Sequence, residues 1–469
     1  MFQSRSAAAA QKTAVAQAPA PVQVRQSGLA PASNKVNIIT AKSALPAAPF
    51  SSSSGYIDFE IPNTTGKLVD VQAEWTLAFS SVDASGTDVQ AMPTSFFTQK
   101  VEILYDGESV ETVEAQEAFQ ESIVWTTDQE YALNRTRWNI SSAGNLNAAF
   151  NVAANSTVNK TWYQPLNANF LMRMEPYIKG FSGVWTFRMH FAPNIVATAV
   201  KTGTAVASAV SVSLAQGGLR LFTTEAALSR EQEAALQQAH VRGSQYKTIT
   251  RSKWQSGTLA SVSNASLTSV QITGFKGSDS AAILVYLQKA NPTLTAQLQH
   301  PQISQFQIKD AAGSEKTKLL PEAVIQQLES KQISTNSVSF SSNTNNLLWS
   351  FCSHLGTALK EGRFLGRDQL SGSEFVLVQP VSTQTDVLLY VVSYDYATLV
   401  VQGGRAQLVK KQPLIGCASS SVQQNCKSCA WARQHTKMTP IPCLCQWAQM
   451  ELQWTTKWLL RQKLPVERR

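Results

Sequence analysis

The chain has 469 residues, of which 43% are apolar and 15% charged, with a formal net charge of +9. That length exceeds one sandwich-sized core and accommodates two, and a globular chain rich in Ser, Thr, Asn and Gln rather than charge suits surfaces that neighbours cover, since burying an unpaired charge costs far more than burying a bonded hydroxyl or amide. Five of the six cysteines lie in the last 53 residues, which excludes a disulfide scaffold for the body.

Residues 1–50, rich in Ala, Gln, Ser and Pro, show little periodicity and read as a disordered basic arm. From residue 56 the pattern changes. Residues 56–61 alternate, and 67–80 place Val69, Val71, Ala73, Trp75, Leu77 and Phe79 two apart, which predicts a long half-buried strand. Residues 100–105 and 109–113 flank Asp106-Gly107 and predict a hairpin. A helix is expected over 114–133, with Ala115, Phe119 and Ile123 four apart. Strands are expected at 170–174 and 184–191, and Ala192-Pro193 is read as the end of the first domain. A strand at 207–214 and a helix at 225–239 form the expected crossover. Strands then follow at 246–251, 267–273, 281–288, 303–309, 374–379, 387–393 and 398–401, with helices at 319–329 and 347–359. The organisation is thus an arm (1–50), a first sandwich (51–196), a crossover with a second sandwich (197–412), and a Cys/Trp-rich basic tail (413–469). The fold class is all-β: two consecutive antiparallel sandwiches with short helices in the loops.

Four stretches carry a resemblance to a known family. Phe96 to Gly107 is similar to its strand and tight turn, and the helix expected over 114–133 occupies the corresponding loop. Gln302 to Asp310 matches the second strand-to-turn, and Asp386 to Tyr394 with Ala397 to Val401 looks like the closing strand pair. Over roughly residues 50–412 the chain resembles the double jelly-roll major capsid proteins of tailless double-stranded DNA viruses, hexon-like and including Polinton-like and adintovirus-like elements. The resemblance implies a homotrimer forming a pseudo-hexameric capsomer of an icosahedral shell. The partners it implies are neighbouring capsomers and minor capsid proteins, with no small-molecule substrate.

The charge is uneven. Residues 1–57 hold five basic and no acidic residues, residues 401–469 hold eleven basic and two acidic, and the remainder is net −5. Contact with viral DNA or an inner membrane is therefore expected of the ends. No secretory leader or apolar helix of spanning length is expected, so the reading is synthesis in the host cytoplasm, or assembly in the nucleus, and residence in the virion capsid.

No catalytic residues are expected. The five histidines (His190, His240, His300, His354, His435) have no metal-ligand spacing, and His190 falls on the polar face of an alternating strand. Gly362 to Asp368 is basic and glycine-bearing but lacks the strand-loop-helix order of a phosphate cradle. In the tail, Cys426, Cys429, Cys443 and Cys445, with Cys417 and His435 nearby, could supply zinc ligands. Trp447, Trp454 and Trp458 form a helical stripe suited to a membrane interface or a partner groove. The abrupt change of composition after Lys410-Lys411 also fits a tail foreign to the fold. Beside the major capsid reading stand a minor capsid, vertex or spike protein, and a carbohydrate-binding or adhesive β-sandwich.

Overall fold

The structure, a computed structural model, describes residues 34–410 apart from 47–48, 51–54, 82–85, 125–127, 142–145, 167–174, 193–196, 202–203, 207–209, 274–277, 291–300, 322, 325–346, 351–367 and 371. Its first part is built from β1 (Asn34–Ile39), β2 (Tyr56–Ile61), β3 (Lys67–Ser81), β4 (Thr87–Ala91), β5 (Thr98–Tyr105), β6 (Glu108–Glu114), β7 (Phe150–Val152), β8 (Thr157–Pro165), β9 (Trp185–Phe191), β10 (Ala197–Lys201), β11 (Thr204–Val206) and β12 (Val210–Ala226). Two four-stranded antiparallel sheets, β1-β12-β3-β8 and β2-β9-β5-β6, close on one core, and a small sheet, β11-β10-β4-β7, extends them. Numbered along the chain, the eight strands of the main sheets run 1-8-3-6 and 2-7-4-5. This wrapping of first strand beside last is the jelly roll.

Alternation explains the core. Trp75, Leu77 and Phe79 of β3 and Trp185, Phe187, Met189 and Phe191 of β9 are all at most 1% exposed, while the residues between them face outward or lie less buried. A polar tie crosses this core: Trp75 Nε1 donates to Gln164 Oε1 (3.0 Å), and Gln164 Nε2 donates to Thr98 Oγ1 (3.0 Å). The β5–β6 turn follows from its residues too, with Asp106 at φ 51° and Gly107 at φ 85°, the backbone of a two-residue hairpin loop.

The second part comprises β13 (Ser244–Gln255), β14 (Leu259–Val262), β15 (Thr268–Gln271), β16 (Ser278–Lys289), β17 (Ile303–Lys309), β18 (Leu320–Pro321), β19 (Leu347–Ser350), β20 (Asp368–Leu370), β21 (Phe375–Pro380), β22 (Gln384–Gln402) and β23 (Arg405–Lys410). Its sheets are β13-β22-β16-β19, with β14, β20 and β23 attached, and β15-β21-β17-β18. Counted along the chain, the principal strands again run 1-8-3-6 and 2-7-4-5. The chain is therefore an all-β double jelly roll, the same wrapping used twice.

Helices α1 (Ala115–Val124) and α2 (Asp128–Asn134) sit in the loop between β6 and β7, and α3 (Arg230–Arg242) joins the rolls. Ser229 and Gln232 form a reciprocal capping box at the start of α3, and Gly243 at φ 107° ends it. Among the described residues no helix is long and apolar enough to cross a membrane.

Several boundaries differ from the sequence reading. Residues 34–39, assigned to the disordered arm, form β1, because pairing with β12 satisfies a backbone that its own Asn-rich pattern could not commit. The first roll thus runs past residue 196 to its closing strand, β12, whose outer end takes residues expected to start a helix. That helix begins only at Arg230, after its cap. The helix over 114–133 is present as two pieces, α1 and α2. Residues 347–350, read as helical, are β19, whose backbone pairs antiparallel with β16 from Ala282 to Val285. Leu320–Pro321, inside the helix expected over 319–329, pairs with β17. The strand expected at 170–174 and the tail from 413 lie outside the described residues.

Candidate assembly surfaces

Among the described residues, charged and polar side chains cluster at the junction between the rolls. The last strand of the first hairpin, β6, and the helix that follows it, α1, lie on the outer face of the β13-β22-β16 sheet. Both elements are acidic on that side, and β13 is basic. Arg251 Nε donates to Glu121 Oε1 at 2.6 Å, its other guanidinium nitrogens reach Glu121 Oε2 and Glu111 Oε1, and Lys253 pairs with Glu114. Lys253 Nζ also lies 3.9 Å from Glu117 Oε1. The side chains of Arg251, Glu111, Glu117 and Glu121 are at most 4% exposed.

Four carboxylates thus face two cations; Arg251, Glu111, Glu117 and Glu121 are closed to water, while Glu114 is half-exposed and Lys253 partly so. Burial pushes the Glu117 carboxyl up to about 7, against the pull of Lys253 and Arg251. Desolvation opposes the charge on Arg251, but Glu121 and Glu111 outweigh it and hold its guanidinium protonated. Tyr286 and Tyr390 complete the floor, stacked at 4.8 Å with 11° between ring planes, and Lys253 Nζ lies 5.0 Å from the Tyr390 ring centre. Burial first, then the neighbouring carboxylate Glu117, raises the Tyr286 phenol well above its ordinary range. Such a site fastens two surfaces together; removing one partner would strand a buried charge.

A second contact ties the rolls at the other end. The Tyr105 hydroxyl donates to the Gly404 carbonyl (2.9 Å) and accepts from Gly183 N–H (2.9 Å), while Ser182 N–H donates to the same carbonyl (2.7 Å). Gly183 must be glycine here, since a Cβ would stand 2.3 Å from Asp106 Oδ2 and 2.5 Å from Tyr105 Cζ. Strand β22 itself joins the cores: Leu389 and Val391 pack in the second, Leu399 and Val401 in the first.

Whereas the β13-β22-β16 face is covered, its counterpart on the first roll carries exposed apolar side chains among the described residues. The outer face of β1-β12-β3-β8 displays Val36 (59% exposed) and Ile38 (55%) beside Phe222 and Tyr163. A depression of about 320 Å³ on this face is lined by Val36, Phe222, Tyr163, Asp70 and Arg137, among others. On neighbouring strands of the same sheet Arg220 pairs with Glu74.

The two described histidines, His190 and His240, lie apart, one on β9 and the other in α3. His190 Nε2 pairs with Glu102 at 2.7 Å on the outer face of β9, in the company of Lys100. His240, 1% exposed, bonds the Leu236 carbonyl and the Tyr246 hydroxyl, both at 2.9 Å. Cys426, Cys429, Cys443, Cys445, His300, His354 and His435 lie outside the described residues, as does the 362–367 loop. Among the described residues no three of His, Cys, Asp and Glu are grouped to hold a metal ion. Sequence reading missed two buried clusters. One is the Arg251 network; the other is Asp395, fully buried and accepting from Ser252 (2.6 Å), Ser280 (2.9 Å) and Ser393 (2.5 Å). Only the presence of charged residues on otherwise apolar strands hinted at either.

No family model and no curated protein sequence matches the chain. By structure it is similar to a chain of the PBCV-1 virus capsid, with a TM-score of 0.57 and 10% identity over 81% of this chain and 97% of that one. It is similar to the Faustovirus major capsid protein, with a TM-score of 0.53 and 8% identity over 79% and 90%. It is also similar to a chain of the Sputnik virophage, with a TM-score of 0.54 and 10% identity over 92% and 99%. What is common to them is the fold.

Proposed function

We propose that the chain is a structural, non-catalytic protein of a virus shell, and specifically the major capsid protein of a tailless double-stranded DNA virus or a related Polinton-like or adintovirus-like element. The observation that carries the reading is that one chain holds two jelly rolls of identical strand order, locked by a buried ion network. A unit of that kind places two similar building blocks side by side, and three of them around an axis give six. The likeness in fold to chains of virus shells supports it. Homotrimeric, pseudo-hexameric capsomers in an icosahedral shell are the working assembly, with minor capsid proteins between them and the basic termini toward DNA or an inner membrane. The protein would be made in the host cytoplasm and assembled there or in the nucleus.

Light scattering on the purified protein should give about three times 51.1 kDa, and electron micrographs should show hexagonal capsomers. A monomer that is retained on a glycan column would sink the proposal. We further propose that Cys426, Cys429, Cys443 and Cys445 hold zinc. Elemental analysis of the full chain against one ending at residue 412 should show one zinc per chain lost with the tail; equal, metal-free preparations would refute it.

A further inference from the structure

The helix that joins the rolls, α3, is seated on the first roll around one buried side chain. His240, in its last turn, is 1% exposed. The rings of Tyr177, Phe181 and Tyr246 enclose it at centroid separations of 5.6, 5.2 and 5.7 Å. The fourth wall is the backbone of Gly180, where a Cβ would stand 2.6 Å from the imidazole Cγ. Its hydrogen bonds fix its proton. Nδ1 faces the Leu236 carbonyl at 2.9 Å, and a carbonyl only accepts, so Nδ1 carries the hydrogen. The neutral ring then accepts at Nε2, where the Tyr246 hydroxyl donates at 2.9 Å. That hydroxyl also takes a backbone hydrogen bond from Tyr177.

A second proton, on Nε2, would set N–H against O–H and place a charge among aromatic rings. Charged groups on the surrounding elements are engaged elsewhere or lie on the outer side. Helix α3 brings Arg230, Glu231, Glu233 and Arg242, the 3-10 turn Ile178–Gly180 brings Lys179, and the start of β13 brings Lys247. Glu233 pairs with Lys179 at 3.2 Å, and Lys67, across a bridge from Tyr177, pairs with Glu175. The adjoining end of β22, Ala397 to Gln402, carries no charge. Burial accordingly holds the His240 imidazole below its ordinary range, with the bond to Leu236 opposing it.

We propose that His240 is an acid-operated catch: its protonation releases α3 from the turn Ile178–Gly180 and slackens the neighbouring tie between the rolls. The turn itself stays on the first roll, because Ile178 N–H donates to the Gly66 carbonyl (3.0 Å) and Lys179 N–H to the Thr65 carbonyl (2.8 Å). Phe181 is the link to the tie. Its ring meets His240, Trp185 (5.2 Å) and Tyr105 (6.0 Å), and the next two amides, of Ser182 and Gly183, bond the Gly404 carbonyl and the Tyr105 hydroxyl. Because the neutral ring belongs to the folded form, the seating of α3 is complete above the unfolded histidine value of about 6.5 and is lost as pH falls through the lower folded value. Glu117 acts in the opposite sense and at another place in the junction. The catch belongs to the single chain, whatever that chain assembles into.

Hydrogen exchange on the full chain, expressed as protection relative to the unstructured peptide, reads the seating directly. Protection across α3 should fall at least about tenfold between about pH 7.5 and about pH 5, while that of β3 and β9 stays unchanged. His240→Gln offers Tyr246 an acceptor that does not titrate, so its α3 protection should be the same at both pH values. An unaltered protein that keeps its α3 protection in acid overturns the proposal, as does an equal loss in His240→Gln. Should that variant fail to fold, Gly180→Ala decides. Its methyl group displaces the imidazole, so α3 should show the acid level of protection already at about pH 7.5; full protection there overturns the proposal.

Discussion

Glu117 is the residue on which the junction between the rolls is most sensitive to pH. Its carboxyl is raised to about 7 from 4.5 by burial, so the folded protein takes up a proton there that the unfolded chain does not hold. The stabilisation linked to this group is complete below the unfolded value and fades as pH rises through the folded one. Over that window it amounts to about 3 kcal/mol. Glu117→Gln keeps the shape of the neutral acid at every pH. Its stability in urea, relative to the unaltered protein, should therefore improve by about 3 kcal/mol between about pH 5 and about pH 8. Parallel profiles for the two proteins would show that Glu117 does not titrate in this window.

Among the elements, β1 has the largest consequence for its size. It is six residues long, yet it supplies the first strand of the jelly roll, and Asn37 Nδ2 donates to the buried Glu225 carboxylate, which also accepts from Gly66 N–H at 2.7 Å. Just beyond it, Phe50 enters the ring cluster of Trp75, Phe97 and Phe191 at centroid separations of 6.3, 6.2 and 6.5 Å. Removing residues 1–33 should leave the melting temperature unchanged, whereas removing 1–50 should cost at least about 3 kcal/mol, the scale of deleting one core aromatic. Equal melting of the two truncations would mean that β1 and Phe50 are not docked. The contrast shows what was legible. Strands β3 and β9 announce themselves because both faces have settled environments, apolar within and polar without. The Asp106-Gly107 turn is visible because its backbone demands those residues. By contrast, β1 and β19 are short and take their conformation from partners far along the chain, so local pattern misassigns them. The Arg251 network was invisible for the same reason: its carboxylates come from residues 130 to 140 positions away.

For the whole molecule, the two rolls behave as one body. Strand β22 gives side chains to both cores, and the ion network and the Tyr105–Gly404 contact clamp the rolls on either side of it. Chemical denaturation should give one transition, with coincident fluorescence and far-UV signals. Two resolved transitions would show that the rolls open separately and that the shared strand couples them weakly. The pairing of β1 with β12 also sets a timetable for synthesis. Residue 39 leaves the ribosome long before its partner, residue 221, and at about 5–20 residues per second the delay is about 10–40 s. Throughout it, β1 has no partner strand, and the first core must wait longer still for Leu399 and Val401. A nascent chain of this design carries the unpaired β1 edge through that whole interval, so added chaperone during synthesis should raise its yield more than substitutions that stabilise the finished fold.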